Sequence, residues 1–166
     1  MLTGPSMKVV YSGCRYNSIV FAMDETTDEF RRWLAGVHAA MSKAILTDPV
    51  KYKFNGRGAP TFLKDIVTEN ASDMYPDELR CRLAIERTGN DINDSKITSV
   101  FLDKNGNQVA PGQIYGGGQV LPIFKISYYK EGDDYGLQLT MLKGQYEAPE
   151  NNRVANDDWQ FASVSI

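Results

Sequence analysis

The sequence has few of the residues on which metal binding and nucleophilic catalysis depend. Its 166 residues include one histidine, His38, and two cysteines, Cys14 and Cys81. The cysteines lie far apart and match no zinc-ligand spacing, so the chain is expected to be reduced and to hold no metal or other cofactor. His38 falls inside a predicted helix and is expected to be an ordinary helix side chain, not half of a Cys–His pair.

Long apolar runs and the common catalytic motifs are also missing. No stretch approaches the roughly 18 apolar residues of a membrane helix, and the N-terminus lacks the layout of a signal peptide. Neither a Walker loop nor a G-x-S-x-G motif is present. The acidic pairs Asp133-Asp134 and Asp157-Asp158 resemble the clustered carboxylates of metal-dependent nucleases, but the first lies in a predicted turn, where Asp is common. The sequence therefore does not predict an enzyme.

Negative charges outnumber positive charges over the whole sequence, and the two signs are unevenly distributed along it. The formal net charge is −3. Residues 1–64 hold nine Lys/Arg and five Asp/Glu, a balance of +4, whereas residues 65–166 hold nine Lys/Arg and sixteen Asp/Glu, a balance of −7. A polyanion-binding face is compatible with these numbers, because the local charge of a surface matters more than the total.

The hydrophobic pattern predicts one domain, residues 8–166, after an added or disordered start at residues 1–7. Arg15–Met23 is rich in β-branched and aromatic residues, which favours a strand. A helix is predicted from about residue 26 to residue 46, with Thr26 and Glu29 as a capping box. Its apolar stripe includes Trp33, which is expected to be buried.

The rest of the chain predicts further strands joined by turns. An irregular loop is expected at about 55–77, and in Leu79–Glu86 the alternation points Leu79, Cys81, Leu83 and Ile85 inward and Arg80 and Arg82 outward. Further strands, turns and loops are predicted at Thr88–Lys96 (loop), Ile97–Leu102, Asp103–Gly106 (turn), Val120–Tyr129 and Gly136–Leu142. These elements predict a mostly β fold, an OB-fold-like five-stranded Greek-key barrel with one long capping helix.

One ordered series of weak motifs points to a family. Ile114–Pro122 (IYGGGQVLP) contains three consecutive glycines, and it is followed by a long strand ending in Tyr128-Tyr129, a Gly-Leu-x-Leu strand and Asp157-Asp158-Trp159. This order, with an early helix and a cysteine-centred strand before it, resembles the single-stranded DNA-binding proteins of podovirus-type phage replication. The resemblance covers about two thirds of the chain. The glycines are open to two interpretations, a bulge or strand entry and a bare backbone that a nucleotide chain can approach.

Cations interleaved with aromatics make up the candidate DNA-binding site, because non-specific strand binders combine basic grooves with stacking rings. Lys125, Ser127 and Tyr129 share one strand face, and Phe124, Ile126 and Tyr128 share the other, which is expected to be core. The candidate site residues are Lys51, Lys53, Arg57, Arg80, Arg82, Tyr115, Lys125 and Tyr129.

The resemblance implies a non-enzymatic protein that coats and protects single-stranded DNA during phage replication and recombination, in the cytoplasm of the infected host. Its candidate partners are single-stranded DNA, phage DNA polymerase, helicase-primase and a second copy of the chain. The resemblance implies a long acidic tail after Asp157-Asp158-Trp159, and we expect either that this tail has been removed or that this member lacks it. Trp159 and Phe161 are expected to dock on the barrel or on a second subunit. A structural or protein-interaction barrel, such as a virion or assembly factor, and a small carbohydrate- or nucleotide-binding OB domain remain alternatives.

Overall fold

The chain forms many strands and one long helix. The computed structural model describes residues 1–15, 17–63, 65–89 and 95–149. The helix α1 spans Asp28–Thr47, and 3-10 turns occupy Glu25–Thr27, Val50–Tyr52 and Pro111–Gln113. The strands are β1 (Leu2–Thr3), β2 (Met7–Arg15), β3 (Ser18–Met23), β4 (Thr61–Phe62), β5 (Val67–Thr68), β6 (Asp77–Leu83), β7 (Ile85–Arg87), β8 (Ser95–Ile97), β9 (Val100–Leu102), β10 (Gln108–Val109), β11 (Gln119–Glu131) and β12 (Asp134–Glu147).

Five of these strands close into a barrel. Neighbouring strands pair in the order β11, β2, β3, β6, β12, and β12 pairs again with β11. These five strands therefore form a closed ring in which each strand has a partner on both sides. Four of the five pairings are antiparallel, and β6 and β12 run parallel. The fold is mostly β with one long helix, which confirms the predicted OB-like barrel. The strand β12 also pairs with β9 outside the barrel.

The interior of the barrel is filled by aromatic and aliphatic side chains that alternate along the strands. Phe21, Phe101, Phe124 and Met141 are completely buried and belong to one cluster, which Leu34 of α1 joins. Alternation explains the arrangement, because every second residue of a strand faces the same side. Burying side chains of this size contributes roughly 1.5–3 kcal/mol each.

A second, smaller cluster lies beyond the barrel, where the β11–β12 hairpin meets the end of α1. Ile45, Phe54 and Tyr135 are buried together there. The Tyr135 hydroxyl donates to the backbone oxygen of Tyr52 at 2.8 Å, and burial is the main cause that raises the pKa of this phenol. Tyr135 therefore stays a neutral donor that fastens the 3-10 turn to the hairpin.

The helix is also held by an ion pair at the start of β6. Arg31 Nη1 donates to Asp77 Oδ2 at 2.7 Å, and the other Asp77 oxygen accepts from the Asn70 N–H at 2.8 Å. The Asn70 bond first, and the Arg31 bond second, hold the pKa of Asp77 below its ordinary value. A charged hydrogen bond of this length is stronger than a neutral one.

Two predictions about the helix are wrong: the residue that caps its start and the burial of Trp33 on its outer face. Thr27, not Thr26, precedes α1 and makes no side-chain cap; Asp24 caps the preceding 3-10 turn instead, accepting from the Thr26 N–H at 2.9 Å. Trp33 was predicted to be buried, but 42% of its surface is exposed. Its ring stacks on the partly buried Phe30 at 6.0 Å, because only Leu34 and Ile45 of α1 are fully buried and Trp33 lies at the border of this face.

Two further expectations differ from the structure. Ile85 was predicted to face the core, but it is 50% exposed, because β6 ends at Leu83 and a separate hairpin, β7–β8, begins. Tyr128 was predicted to be core and is 42% exposed. At the start of the chain, Leu2 of β1 pairs with Phe124 of β11. In the described part of the chain, no helix is long and apolar enough to span a membrane.

Candidate functional site

Strand register brings three predicted cations onto one outer face of the barrel. Thr140 of β12 pairs with Lys125 of β11 on one side and with Arg82 of β6 on the other. Paired residues point to the same face of a sheet, and strands lie about 4.8 Å apart, so Lys125 and Arg82 face the same way roughly 10 Å apart. Arg80 joins them because it is two residues from Arg82. Both arginines are exposed, while Cys81 between them is buried.

An open groove lies where β6 and β12 separate. It has a volume of about 590 Å³ and contains both arginines, Tyr129 and the groove-facing part of β12. We call it the Arg80 groove; it is lined by Asp65, Ile66, Arg80, Arg82, Tyr129, Lys130, Glu131, Gly136, Leu137, Gln138 and Leu139. The arginines come from one wall and the tyrosine from the other, so the groove places cations opposite an aromatic ring.

Tyr129 is positioned by a glycine on the neighbouring strand. Gly136 is its direct partner in β12, and a Cβ at Gly136 would lie 2.7 Å from the Tyr129 ring. The ring therefore lies over bare backbone, an arrangement that only glycine permits at this distance. Since the ring is half-buried, part of it remains available for a planar ligand to stack on.

Gln138 and the groove carboxylates complete the polar lining. Arg82 Nη1 lies 3.5 Å from the Gln138 side-chain oxygen, which is a long contact that leaves the guanidinium free to bind an anion. Asp65 Oδ1 is shielded from solvent and has no hydrogen-bond partner among the described residues. A buried acceptor of this kind is costly, and it reduces the positive potential of this wall of the groove. Sequence reasoning missed Gly136, Gln138 and Asp65, because their place in the groove depends on long-range pairing.

The second group of predicted cations lies at the far end of the β11–β12 hairpin. Lys51 belongs to the 3-10 turn, and Lys53 ends it with a left-handed φ of 66°. Lys51 Nζ lies 5.7 Å from the centre of the Tyr52 ring, and Tyr52 meets Tyr128 edge-on at 5.7 Å. Tyr128 and Tyr129 face opposite sides of β11, so this patch lies behind the Arg80 groove.

Arg57 is part of the same region. It is exposed, and its neighbour Gly56 approaches the hairpin turn so closely that a Cβ there would lie 2.6 Å from the Asp133 carboxylate. Thr61 donates through its hydroxyl to Asp134 and through its N–H to the Asp133 backbone oxygen at 3.0 Å. This acidic pair therefore fastens the loop to the hairpin. The second acidic pair and Trp159 lie outside the described residues.

Tyr115 is separated from the other predicted residues. It is 52% exposed, and it precedes β11 at the end opposite Tyr129, so about ten residues of strand, roughly 33 Å, lie between them. Its N–H donates to the Tyr146 hydroxyl at 3.1 Å. The structure therefore does not bring Tyr115 into the Arg80 groove.

The glycines beside Tyr115 serve the backbone. Gly117 has a φ of 90°, and its N–H donates to the Val9 oxygen at 2.7 Å. A Cβ at Gly118 would lie 2.6 Å from the Tyr146 ring. These contacts favour the first of the two interpretations of the glycines, an entry into β11 where the chain meets β2 and β12 closely.

Comparison with known proteins identifies structures with a similar fold but no related sequence family. No protein-family model matches the chain, and a search of curated proteins finds no match. Among solved structures, the single-stranded DNA-binding protein from bacteriophage Enc34, in complex with ssDNA, is similar with a TM-score of 0.51 and 11% identity, covering 87% of this chain and 84% of that one. The single-stranded DNA-binding protein gp2.5 of bacteriophage T7 gives 0.48 and 13%, covering 87% and 89%.

The comparison and the register agree on the class of fold. This chain is an OB-like barrel with a long helix, of the kind found in the Enc34 phage protein. At such low identity the likeness shows the fold alone, and a fold hosts many functions. The function has to be argued from the groove.

Proposed function

We propose that this protein is a non-enzymatic, sequence-tolerant single-stranded DNA-binding protein. The observation that carries the proposal is the outer face on which Arg80, Arg82, Lys125 and Tyr129 are brought together by strand register. Cations along a groove bind phosphates, and a partly exposed ring stacks on any base, worth roughly 1–3 kcal/mol per base. The fold shared with a phage protein solved in complex with ssDNA supports this interpretation.

The binding path runs along the Arg80 groove. Lys125 and Arg82 are the cations at one end, and Arg80 and Tyr129 lie further toward the hairpin tip. From there, Lys51, Lys53 and Arg57 continue the positive surface around the tip, where a longer strand reaches them. Tyr115 is too distant to belong to this path.

The biological role proposed with this binding is the coating and protection of exposed template during phage DNA replication and recombination. The place of action is the cytoplasm of the infected host. Phage DNA polymerase and helicase-primase are the proposed protein partners, together with a second copy of the chain. The resemblance in the order of motifs supports this role.

The test is a fluorescence titration with labelled oligo-dT and with a duplex of equal length, repeated over a series of salt concentrations. Oligo-dT should bind far more tightly than duplex, and log K should fall linearly with log salt. Equal affinity for the two forms, or no binding at low salt, would refute the proposal and would favour a structural or protein-interaction barrel.

A further inference from the structure

An apolar pocket lies on the outer face of the sheet, beyond Lys125 and nearer the N-terminus of β11. The register of β11 and β12 shifts between Ile123 and Phe124, and past this bulge β9 replaces β6 as the second neighbour of β12. The β9–β10 turn, residues 103–106, lines one side of the pocket, which has a volume of about 340 Å³. We call it the Leu121 pocket. It shares no lining residue with the Arg80 groove.

Two leucines form facing walls of the Leu121 pocket. Gln145 of β12 pairs with Leu121 of β11 on one side and with Leu102 of β9 on the other. Paired residues point to the same face of a sheet, and strands lie about 4.8 Å apart, so the backbones of the two leucines are roughly 10 Å apart. Leu121 is 40% exposed and Leu102 is half-buried. The pocket is therefore a slot with apolar sides and a polar amide between them.

Positive charge borders this slot. Lys104 and Lys143 belong to its lining and are exposed, and neither forms an ion pair with another described residue. Asp103 is the carboxylate of the lining, and its Oδ1 accepts from the N–H groups of Asn105 and Asn107, at 2.9 Å each. Because this carboxylate orders the turn, the rim of the slot offers two cations to a ligand.

The pocket continues the proposed path of single-stranded DNA. Leu121, Ile123 and Lys125 alternate on the outer face of β11, and the residues between them are buried. Along the strand, Lys125 therefore lies about 13 Å from Leu121, and Tyr129 lies about 26 Å from it. A nucleotide chain that passes over Tyr129 and Lys125 reaches the Leu121 pocket when it is extended in the same direction.

A nucleobase matches the chemistry of the pocket. It is flat, so aliphatic walls can contact both of its faces, and its edge carries donors and acceptors. The side-chain amide of Gln145 has both a donor and an acceptor group and can therefore pair with the edge of any base. Lys104 and Lys143 lie where the phosphates beside that base would need cations.

We propose that the Leu121 pocket is a second base-binding subsite for single-stranded DNA. It holds one base between Leu121 and Leu102, while Lys104 and Lys143 contact the flanking phosphates. The proposal rests on the proposed function, because it extends the same path at the end opposite the hairpin tip. The lining of the pocket contains no aromatic residue, so this subsite holds a base by aliphatic contact and not by ring stacking.

The first test is fluorescence anisotropy with labelled oligo-dT of about twelve and of about four nucleotides, lengths within the site sizes of OB folds. Leu121→Ala should weaken binding of the longer oligonucleotide about five- to tenfold, near the lower end of the range for loss of one base contact. Lys143→Ala should also weaken it and should flatten the slope of log K against log salt by about 0.7. The shorter oligonucleotide has too few linkages to join Tyr129 to the pocket, so its affinity should not change. Leu46→Ala and Lys43→Ala, at exposed positions of α1, are the matched controls and should change neither affinity.

The second test distinguishes an aliphatic pocket from a stacking ring. The fluorescence of 2-aminopurine is quenched when it stacks on an aromatic ring and rises when it is held apart from other rings. This base is placed at each position of the longer oligonucleotide in turn. Its emission should fall on binding where it lies on Tyr129, and it should rise at a position nearer one end, where it enters the pocket. Leu121→Ala should abolish the rise and leave the fall unchanged.

The outcomes separate this subsite from the proposed function. A wild-type chain that does not bind the longer oligonucleotide overturns both. If Arg80→Ala/Arg82→Ala weakens binding but Leu121→Ala and Lys143→Ala do not, the subsite alone is overturned. A lower melting temperature for free Leu121→Ala with unchanged DNA affinity would show that another part of the chain fills the pocket, which also overturns it. Lys143→Ala removes only an exposed side chain, so the test remains decisive even if Leu121→Ala fails to fold.

Discussion

Removal of the two groove arginines should separate DNA binding from stability. Arg80 and Arg82 point outward from β6 on either side of buried Cys81. For single-stranded nucleic acid, each phosphate contact contributes about 0.7 to the slope of log K against log salt. The double variant Arg80→Ala/Arg82→Ala should therefore flatten the slope by about 1.4 and weaken binding roughly 25-fold at about 0.1 M salt, with the difference shrinking toward 1 M.

Stability should change little in the same variant. The only hydrogen bond from these two side chains in the described structure is the long contact of Arg82 to Gln138, at 3.5 Å. Exposed substitutions of this kind usually alter the free energy of unfolding by less than about 0.5 kcal/mol. The assays are fluorescence anisotropy of labelled oligo-dT over a salt series and a thermal melt of the free protein.

A matched control comes from α1. Arg32 is exposed on the helix, so Arg32→Ala removes the same charge away from the Arg80 groove and should leave the salt slope unchanged. An unaltered slope in the double groove variant would refute the argument that these arginines contact phosphates. A large drop in melting temperature with unaltered affinity would instead make them structural residues of β6.

Three further predictions concern stability. Because the folded pKa of Asp77 is lowered, its carboxylate stabilises the fold above the ordinary pKa of about 3.9, and this stabilisation is lost as the pH falls through the folded pKa. The variant Asp77→Asn should therefore be less stable than the wild type at neutral pH and should lose less stability on acidification. Urea unfolding at a series of pH values measures both effects. Trp33→Ala should reduce the free energy of unfolding by about 1–2 kcal/mol, less than the roughly 3–5 kcal/mol of a fully buried aromatic residue. A loss of about 3–5 kcal/mol would show that the partly exposed ring contributes more to stability than its stacking on Phe30 indicates. Gly118→Ala should lower the free energy of unfolding by roughly 1–3 kcal/mol, because its Cβ would meet the Tyr146 ring. Gly112→Ala is the control and should be nearly neutral, because a Cβ there meets nothing within 4 Å. Equal melting temperatures for the two variants would contradict the structural role of the glycine triplet.

The strands with strict alternation were predictable from sequence. Leu79, Cys81 and Leu83 point into the barrel and Arg80 and Arg82 point out, because a period of two fixes which face each residue occupies. The same rule failed at Ile85, since a pattern of alternation does not reveal where one strand ends and a separate hairpin begins. Local periodicity determines the face of a residue but not the partner of its strand.

The Arg80 groove could be predicted only in its separate parts. Each wall carries residues that the sequence singled out, but the parallel pairing of Arg82 with Thr140 joins segments that lie 58 positions apart. Lys51 and Lys53 show the reverse case. The sequence grouped them with the groove residues, but they lie in and at the end of a 3-10 turn that Tyr135 fastens to the hairpin, away from the Arg80 groove. Tertiary contacts override local pattern at such places.

The net charge of −3 is consistent with a polyanion-binding face because charge is sorted along β6. Near the start of the strand, Asp24, Glu25, Asp28 and Asp73 surround a shallow acidic depression together with Asp77. Only a few residues further along, the outward side chains are arginines. A phosphate chain approaching this side of the barrel is repelled at one end of β6 and attracted at the other, so the sorted charges direct it toward the Arg80 groove. A uniformly basic barrel of the same fold would bind duplex and single strand alike through charge. Under the proposed function, binding depends on the narrow stretch where cations and the Tyr129 ring lie together, which a flexible single strand reaches more easily than a rigid duplex.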